Sequence, residues 1–211
     1  MKFDQCLKSF LYLILAIGFS VAHAGAYEDF FRALDRDDAR TVTRLLQRGF
    51  DPNSRNEAGQ PALFLALQKP SPAVADALWT HPQLDVDAFN AAGETPLMMA
   101  ALRGNLEWMQ RLLGRGARVH QEGWSPVHYA ATGPEPKALE LLLERGAPVD
   151  ARSPTGTTPL MMAARYGDER SVALLLQRGA DRGLRNRHGA DAAQFARDGG
   201  RDALAQQLER R

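Results

Sequence analysis

The chain has 211 residues, with 26 Lys and Arg against 25 Asp and Glu and a formal net charge of +1. A balance this even argues against nucleic-acid binding, which demands a basic face. One cysteine, Cys6, excludes an intrachain disulfide framework.

The amino terminus reads as a targeting segment. Lys2 and Lys8 precede an uncharged apolar stretch from Phe10 to Val21, and Ala22-His23-Ala24 places small residues before Gly25. That order predicts a cleavable secretory signal peptide over 1–24, its apolar part too short to span a bilayer comfortably. Cys6 lies before the apolar stretch, so it is not the lipid-bearing cysteine of a lipoprotein signal. Cleavage leaves 187 residues with 24 basic and 24 acidic groups and no cysteine. The expected location is the periplasm, with no stable membrane insertion after processing. Arg outnumbers Lys by 22 to 2 after residue 24.

Beyond residue 24 one pattern recurs. It reads Thr95-Pro96-Leu97-Met98-Met99-Ala100-Ala101, then Ser125-Pro126-Val127-His128-Tyr129-Ala130-Ala131, then Thr158-Pro159-Leu160-Met161-Met162-Ala163-Ala164. Each copy leads to a leucine pair and then Gly-Ala: Leu112-Leu113 to Gly116-Ala117, Leu142-Leu143 to Gly146-Ala147, and Leu175-Leu176 to Gly179-Ala180. The markers Phe30, Leu63, Leu97, Val127, Leu160 and Ala193 are spaced by 33, 34, 30, 33 and 33 residues. Such a period means a solenoid of stacked units, with degenerate polar end units.

Local chemistry fits paired helices. Thr95, Ser125 and Thr158 can cap free backbone N–H groups, and the following Pro has no N–H to lose. Ala pairs let neighbouring helices approach. Gly104 and Gly167 end the first helices. Second helices carry apolar residues at helical spacing, such as Leu106, Met109, Leu112 and Leu113. Gly49, Gly116, Gly146 and Gly179 fit a left-handed helix end.

On these residues the chain resembles the ankyrin repeat family. The resemblance implies an all-α ankyrin-repeat solenoid of about six repeats, near 25–56, 57–89, 90–119, 120–152, 153–185 and 186–211. Its domain would be 25–211, each unit a helix pair with a projecting hairpin, such as Val149-Asp150 through Gly156. The Met pairs then fall on the face between repeats. Thioethers suit Cu(I), but core filling is expected there. Replacing the family's His by Met removes a polar link to the preceding turn. His128 keeps it, as an interior hydrogen-bonding residue, with Ser125 as helix cap rather than nucleophile. His81, His120 and His188 lack metal-ligand spacing. Asp35, Asp37 and Asp38 lack the Gly and Glu of a calcium loop. No catalytic residue, cofactor or metal is expected.

By the same resemblance, the residue before Thr or Ser and the two after Ala-Ala face the concave side. Glu94, Arg103, Trp124, Arg165 and Tyr166 are the candidate partner-binding set, since Trp, Tyr and Arg are enriched at hot spots. Trp124 alternatively covers the gap left by a short hairpin. Trp79 and Trp108 are expected in the core. Three residues are missing between Val119 and Ser125, so the fourth hairpin should be stunted. Pro134 should stop the preceding helix. Residues 25–150 carry 13 basic and 17 acidic groups, and 151–211 carry 11 and 7. These charges serve solubility or, alternatively, steer a dipolar partner.

The expected function is noncovalent recognition of a protein partner by a monomer. Alternatives are an immunity or inhibitor protein against an envelope toxin or hydrolase, a protective partner of a periplasmic enzyme, and, in another class, a metal carrier or enzyme. The processing expectation has a direct check. Mass spectrometry of the exported protein should find a chain beginning at Gly25; a chain retaining Met1 to Ala24 would refute cleavage.

Overall fold

The computed structural model describes residues 25–69 and 71–210. The expected leader and its cleavage site lie outside them. Twelve helices occur among the described residues. They are α1 (25–35), α2 (Ala39–Gln47), α3 (Ala62–Gln68), α4 (Pro72–Trp79), α5 (Pro96–Leu102), α6 (Leu106–Gly114), α7 (Pro126–Thr132), α8 (Pro136–Glu144), α9 (Pro159–Tyr166), α10 (Glu169–Gln177), α11 (Ala192–Asp198) and α12 (Asp202–Glu209). The odd-numbered first helices from α3 to α11 stack on one another, and each packs on its own second helix. The all-α solenoid expected from the sequence is the fold observed.

The repeat register is visible as burial. Phe30, Leu63, Leu97, Val127 and Leu160 are essentially inaccessible, and Ala193 is buried. Leu112, Leu142 and Leu175 sit wholly inside on the second helices. Of the Met pairs, Met98, Met99 and Met161 are buried, while Met162 is half-buried. Trp108 is buried; Trp79 is only half-buried and meets Trp108 edge-on at 5.5 Å.

Helix starts follow the sequence, with one variation. Thr95 Oγ1 accepts from Met98 N–H and Thr158 Oγ1 from Met161 N–H, each at 3.4 Å. At Ser125 the hydroxyl lies 3.2 Å from His120 Nδ1. There the start is closed by His128 N–H on the Ser125 carbonyl at 2.9 Å and by Ser125 N–H on His128 Nδ1 at 3.2 Å.

Second helices end on Gly49, Gly116, Gly146 and Gly179 at φ of 88°, 89°, 87° and 88°, a region costly to other residues. Gly167 is needed for a different reason. Its φ is ordinary, but a Cβ there would stand 2.1 Å from the Ala131 carbonyl oxygen.

Fingers project between units. The second, third, fifth and sixth are closed by backbone bonds Asn56→Gln60, Asn90→Glu94, Ser153→Thr157 and Asn186→Ala190, at 3.0, 3.0, 3.0 and 2.9 Å. The fourth, residues 119–125, has no such bond, as its shortened length predicts. α7 stops at Thr132, before Pro134, and Pro136 opens α8 behind Glu135, whose carboxylate accepts from Lys137 N–H at 3.1 Å.

Replacing Leu112, Leu142 or Leu175 by Ala should each destabilise the fold by about 2–5 kcal/mol. Gly167→Ala should cost about 1–3 kcal/mol by overpacking. Denaturant midpoints equal to wild type would mean that the register or the close approach is misassigned.

Candidate functional site

Trp124 stands at the end of the fourth finger, just before α7. Its ring meets His128 edge-on at 5.3 Å and Tyr129 at 6.4 Å. These three side chains, with Leu102, Thr132 and Met162, line an apolar pocket of about 250 Å³. The walls come from three consecutive first helices, so the pocket depends on the stacking of repeats three to five.

A polar strut fixes one wall. Tyr129 Oη donates to Glu94 Oε1 at 2.7 Å, and Asn90 Nδ2 donates to Glu94 Oε2 at 2.7 Å. Burial and the adjacent Glu94 carboxylate push the Tyr129 phenol above its ordinary pKa. The phenol therefore remains protonated and donating at neutral pH.

His128 forms the floor and is fully buried. Its Nδ1 accepts from Ser125 N–H, which leaves Nε2–H to donate to the carbonyls of Ala151 at 3.0 Å and Thr157 at 3.1 Å. Those carbonyls belong to the fifth finger. The polar link therefore runs to the following turn, not to the preceding one as the family resemblance implied. The reason is stacking order: the ring points at the unit added next. In repeat five, Met161 Sδ takes the place of the imidazole, receiving Thr158 N–H at 3.4 Å.

The five expected site residues fall into three groups. Glu94 and Trp124 are joined through Tyr129. Arg165 and Tyr166 sit together at the end of α9, the guanidinium 5.1 Å from the ring centroid and 4.0 Å from Asp198 Oδ2. Tyr166 is 58% exposed. Arg103 lies apart, donating to the Gln68 carbonyl and lining a different pocket with Trp108 and Pro72. Sequence reasoning placed Leu102 and Thr132 on the concave side without naming them as site residues, and it passed over Tyr129 and Met162 as pocket walls. Tyr129 carried a signal, since the matching positions in neighbouring units are Met99 and Met162.

Ser125 and His128 do not make a hydrolytic pair. Both are inaccessible, and both imidazole nitrogens are committed to backbone groups. No group of three His, Cys, Asp or Glu side chains suited to a metal occurs among the described residues.

A family model described as ankyrin repeats (3 copies) matches residues 30–122 and again 97–186. Among curated proteins, B-cell lymphoma 3 protein homolog of Mus musculus is 32% identical over 163 residues, 74% of this chain and 36% of that protein. Transient receptor potential cation channel subfamily A member 1 of Homo sapiens is 31% identical over 54% of this chain and 10% of that protein. Protein phosphatase 1 regulatory subunit 27 of Mus musculus is 34% identical over 36% of this chain and 52% of that protein. The chain thus matches between a tenth and about half of the length of these relatives.

Burial pushes the His128 imidazole below its ordinary pKa of 6.5, against the pull of the carbonyls it serves. The unfolded chain then takes up a proton at a higher pH than the folded chain. Stability contributed by the neutral ring is complete above that value and is lost as pH falls. Urea unfolding should show a lower midpoint at about pH 5.5 than at about pH 7.5, and His128→Gln should shrink that difference. An undiminished difference would place the titration elsewhere.

Proposed function

Because the chain belongs to the ankyrin repeat family, whose stacked units form protein–protein interaction modules, we propose that it is a non-enzymatic recognition protein that grips a protein partner at the Trp124 pocket. The observation that carries this reading is the pocket itself. It is apolar, open to solvent and walled by aromatic and thioether side chains drawn from three consecutive units. Trp124 and Tyr129 are half-buried aromatic side chains of the kind enriched at hot spots, and their geometry here is held by His128 and Glu94 rather than left free. Preorganisation of that kind reduces the ordering cost of binding.

Arg165 and Tyr166 extend the surface one repeat further along the stack. Their charge and exposed ring suit the rim of an interface, where electrostatics set orientation more than affinity. Glu94 serves by holding Tyr129. Arg103 belongs to the neighbouring turn and contributes by stabilising α3.

Action in the periplasm is part of the proposal. Its support is the charged start, apolar stretch and small-residue site in residues 1–24. No helix among the described residues is long and apolar enough to cross a membrane.

Affinity capture from an envelope extract should identify the partner. Trp124→Ala should then weaken calorimetric binding by at least about 1 kcal/mol, with the thermal midpoint nearly unchanged. Wild-type affinity removes Trp124 from the interface. A large loss of stability shows that the ring is a structural cover for the short finger.

A further inference from the structure

We propose that the recognised segment is acidic: an extended stretch of protein that seats one apolar side chain in the Trp124 pocket and lays carboxylates against Arg152 and Arg187. This rests on the reading of the Trp124 pocket as the partner site.

The motive is the distribution of charge along the fingers. Over matching positions, residues 55–60 of the second finger hold Arg55 and Glu57, residues 89–94 of the third hold Glu94, and the fourth holds Glu122. Residues 151–157 of the fifth finger hold Arg152 and no acid. Residues 185–190 of the sixth hold Arg185, Arg187 and His188 and no acid. Asp191 neutralises Arg185 at 3.1 Å. Arg152 and Arg187 are exposed, and among the described residues neither has a carboxylate partner. The Arg152 side chain makes only a long bond, 3.4 Å, to the Arg185 carbonyl.

These cations are continuous with the pocket. Gly123, beside Trp124, lies against the fifth finger, where a Cβ would be 3.4 Å from Pro154 Cγ. Arg187 N–H donates to the Thr155 carbonyl at 2.8 Å, which docks the sixth finger on the fifth. A chain leaving the pocket in the direction of the carboxyl-terminal repeats therefore meets a row of backbone and proline, then two unpaired guanidinium groups. A guanidinium fork matches a carboxylate in shape as well as in charge. Two free cations flanked by Glu122 and Asp191 form too short a basic run for a polyphosphate backbone. The opposite direction leads to the Glu94 carboxylate, which repels an acidic segment and so fixes polarity.

The test uses fluorescently labelled synthetic peptides and the purified protein. The parent peptide carries one Phe followed by several Glu in a Gly/Ser background. Its analogues replace every Glu by Gln, or the Phe by Ala. An oligothymidine of similar length is the fourth probe. The parent should bind about tenfold more tightly than the Gln analogue, with the advantage falling at raised salt. The double variant Arg152→Gln, Arg187→Gln should lose that advantage and leave the Gln analogue unaffected. Trp124→Ala should weaken the parent and leave the Ala analogue unaffected. Arg44→Gln, at the far end of the stack, should change nothing. Equal binding of parent and Gln analogue overturns the proposal, as does an inert double variant. In either case a surviving effect of Trp124→Ala leaves the pocket itself intact as a site. Tighter binding of the oligothymidine than of the parent overturns it in favour of nucleic acid. Absence of binding by every peptide also overturns it, and affinity capture then judges the pocket separately.

Discussion

The distance between successive first helices is the constraint on which the stack depends. Each first helix must lie close enough to the next for its marker residue to be enclosed from both sides. The Ala pairs at Ala100-Ala101, Ala130-Ala131 and Ala163-Ala164 make that approach possible, and all six are buried. The same closeness leaves no room at the helix ends. A Cβ on Gly133 would stand 2.9 Å from the Ala101 carbonyl, and one on Gly199 would stand 2.7 Å from the Arg165 carbonyl. Small residues at these points therefore serve packing, whereas the glycines after the leucine pairs serve backbone conformation.

Close stacking creates a second requirement, because helix ends leave carbonyls without intrahelical partners. Here the neighbouring unit supplies many of the missing donors. Arg201 Nη1 reaches the carbonyls of Ala164 and Gly167 at 3.0 and 2.9 Å, and at 3.0 Å also that of Ala163, which already accepts Gly167 N–H. Arg115 does the same for Trp79 and His81 at 3.0 and 2.9 Å. On the other layer Arg111 lies 4.1 Å from the Trp108 centroid and 2.6 Å from Asp76 Oδ1, spanning α4 and α6. Arginine suits these places because its donors fan out in a plane while its stem covers apolar surface. Stability is thereby shared between adjacent units, as expected of a one-dimensional array.

The parts of this architecture that repeat were legible in the sequence. Thr-Pro starts, Ala pairs and Gly-Ala ends each encode a local backbone state or a size limit, and both are properties of single residues. What the sequence did not reveal was the direction in which half-exposed side chains turn. Arg103 occupies a position that in the family faces the partner, yet it folds back onto the Gln68 carbonyl because an orphan acceptor lies within reach. His128 was expected to look backwards and instead holds the finger ahead. Tyr129 was read as one letter of a motif, although its phenol and Glu94 form the strut of the pocket. Side-chain destinations of this kind are set by neighbours some 30 residues away in sequence, so no local pattern carries them.

Repeat four is where the regular pattern breaks, and the pocket lies there. Its finger lacks a closing backbone bond, and it is held instead by Ser125 against His120 and by Gln121 Nε2 on the Gly93 carbonyl at 3.1 Å. Trp124 is thereby placed against α7, where its ring rests on His128 and Tyr129. His128 then does two things with one ring. It forms the pocket floor, and its Nε2–H binds the carbonyls of Ala151 and Thr157, which bracket the turn that carries Arg152. The offset between the apolar pocket and the first unpaired cation is therefore set by hydrogen bonds from a buried imidazole, not by the length of a loose loop. A partner that needs both features meets them already in register.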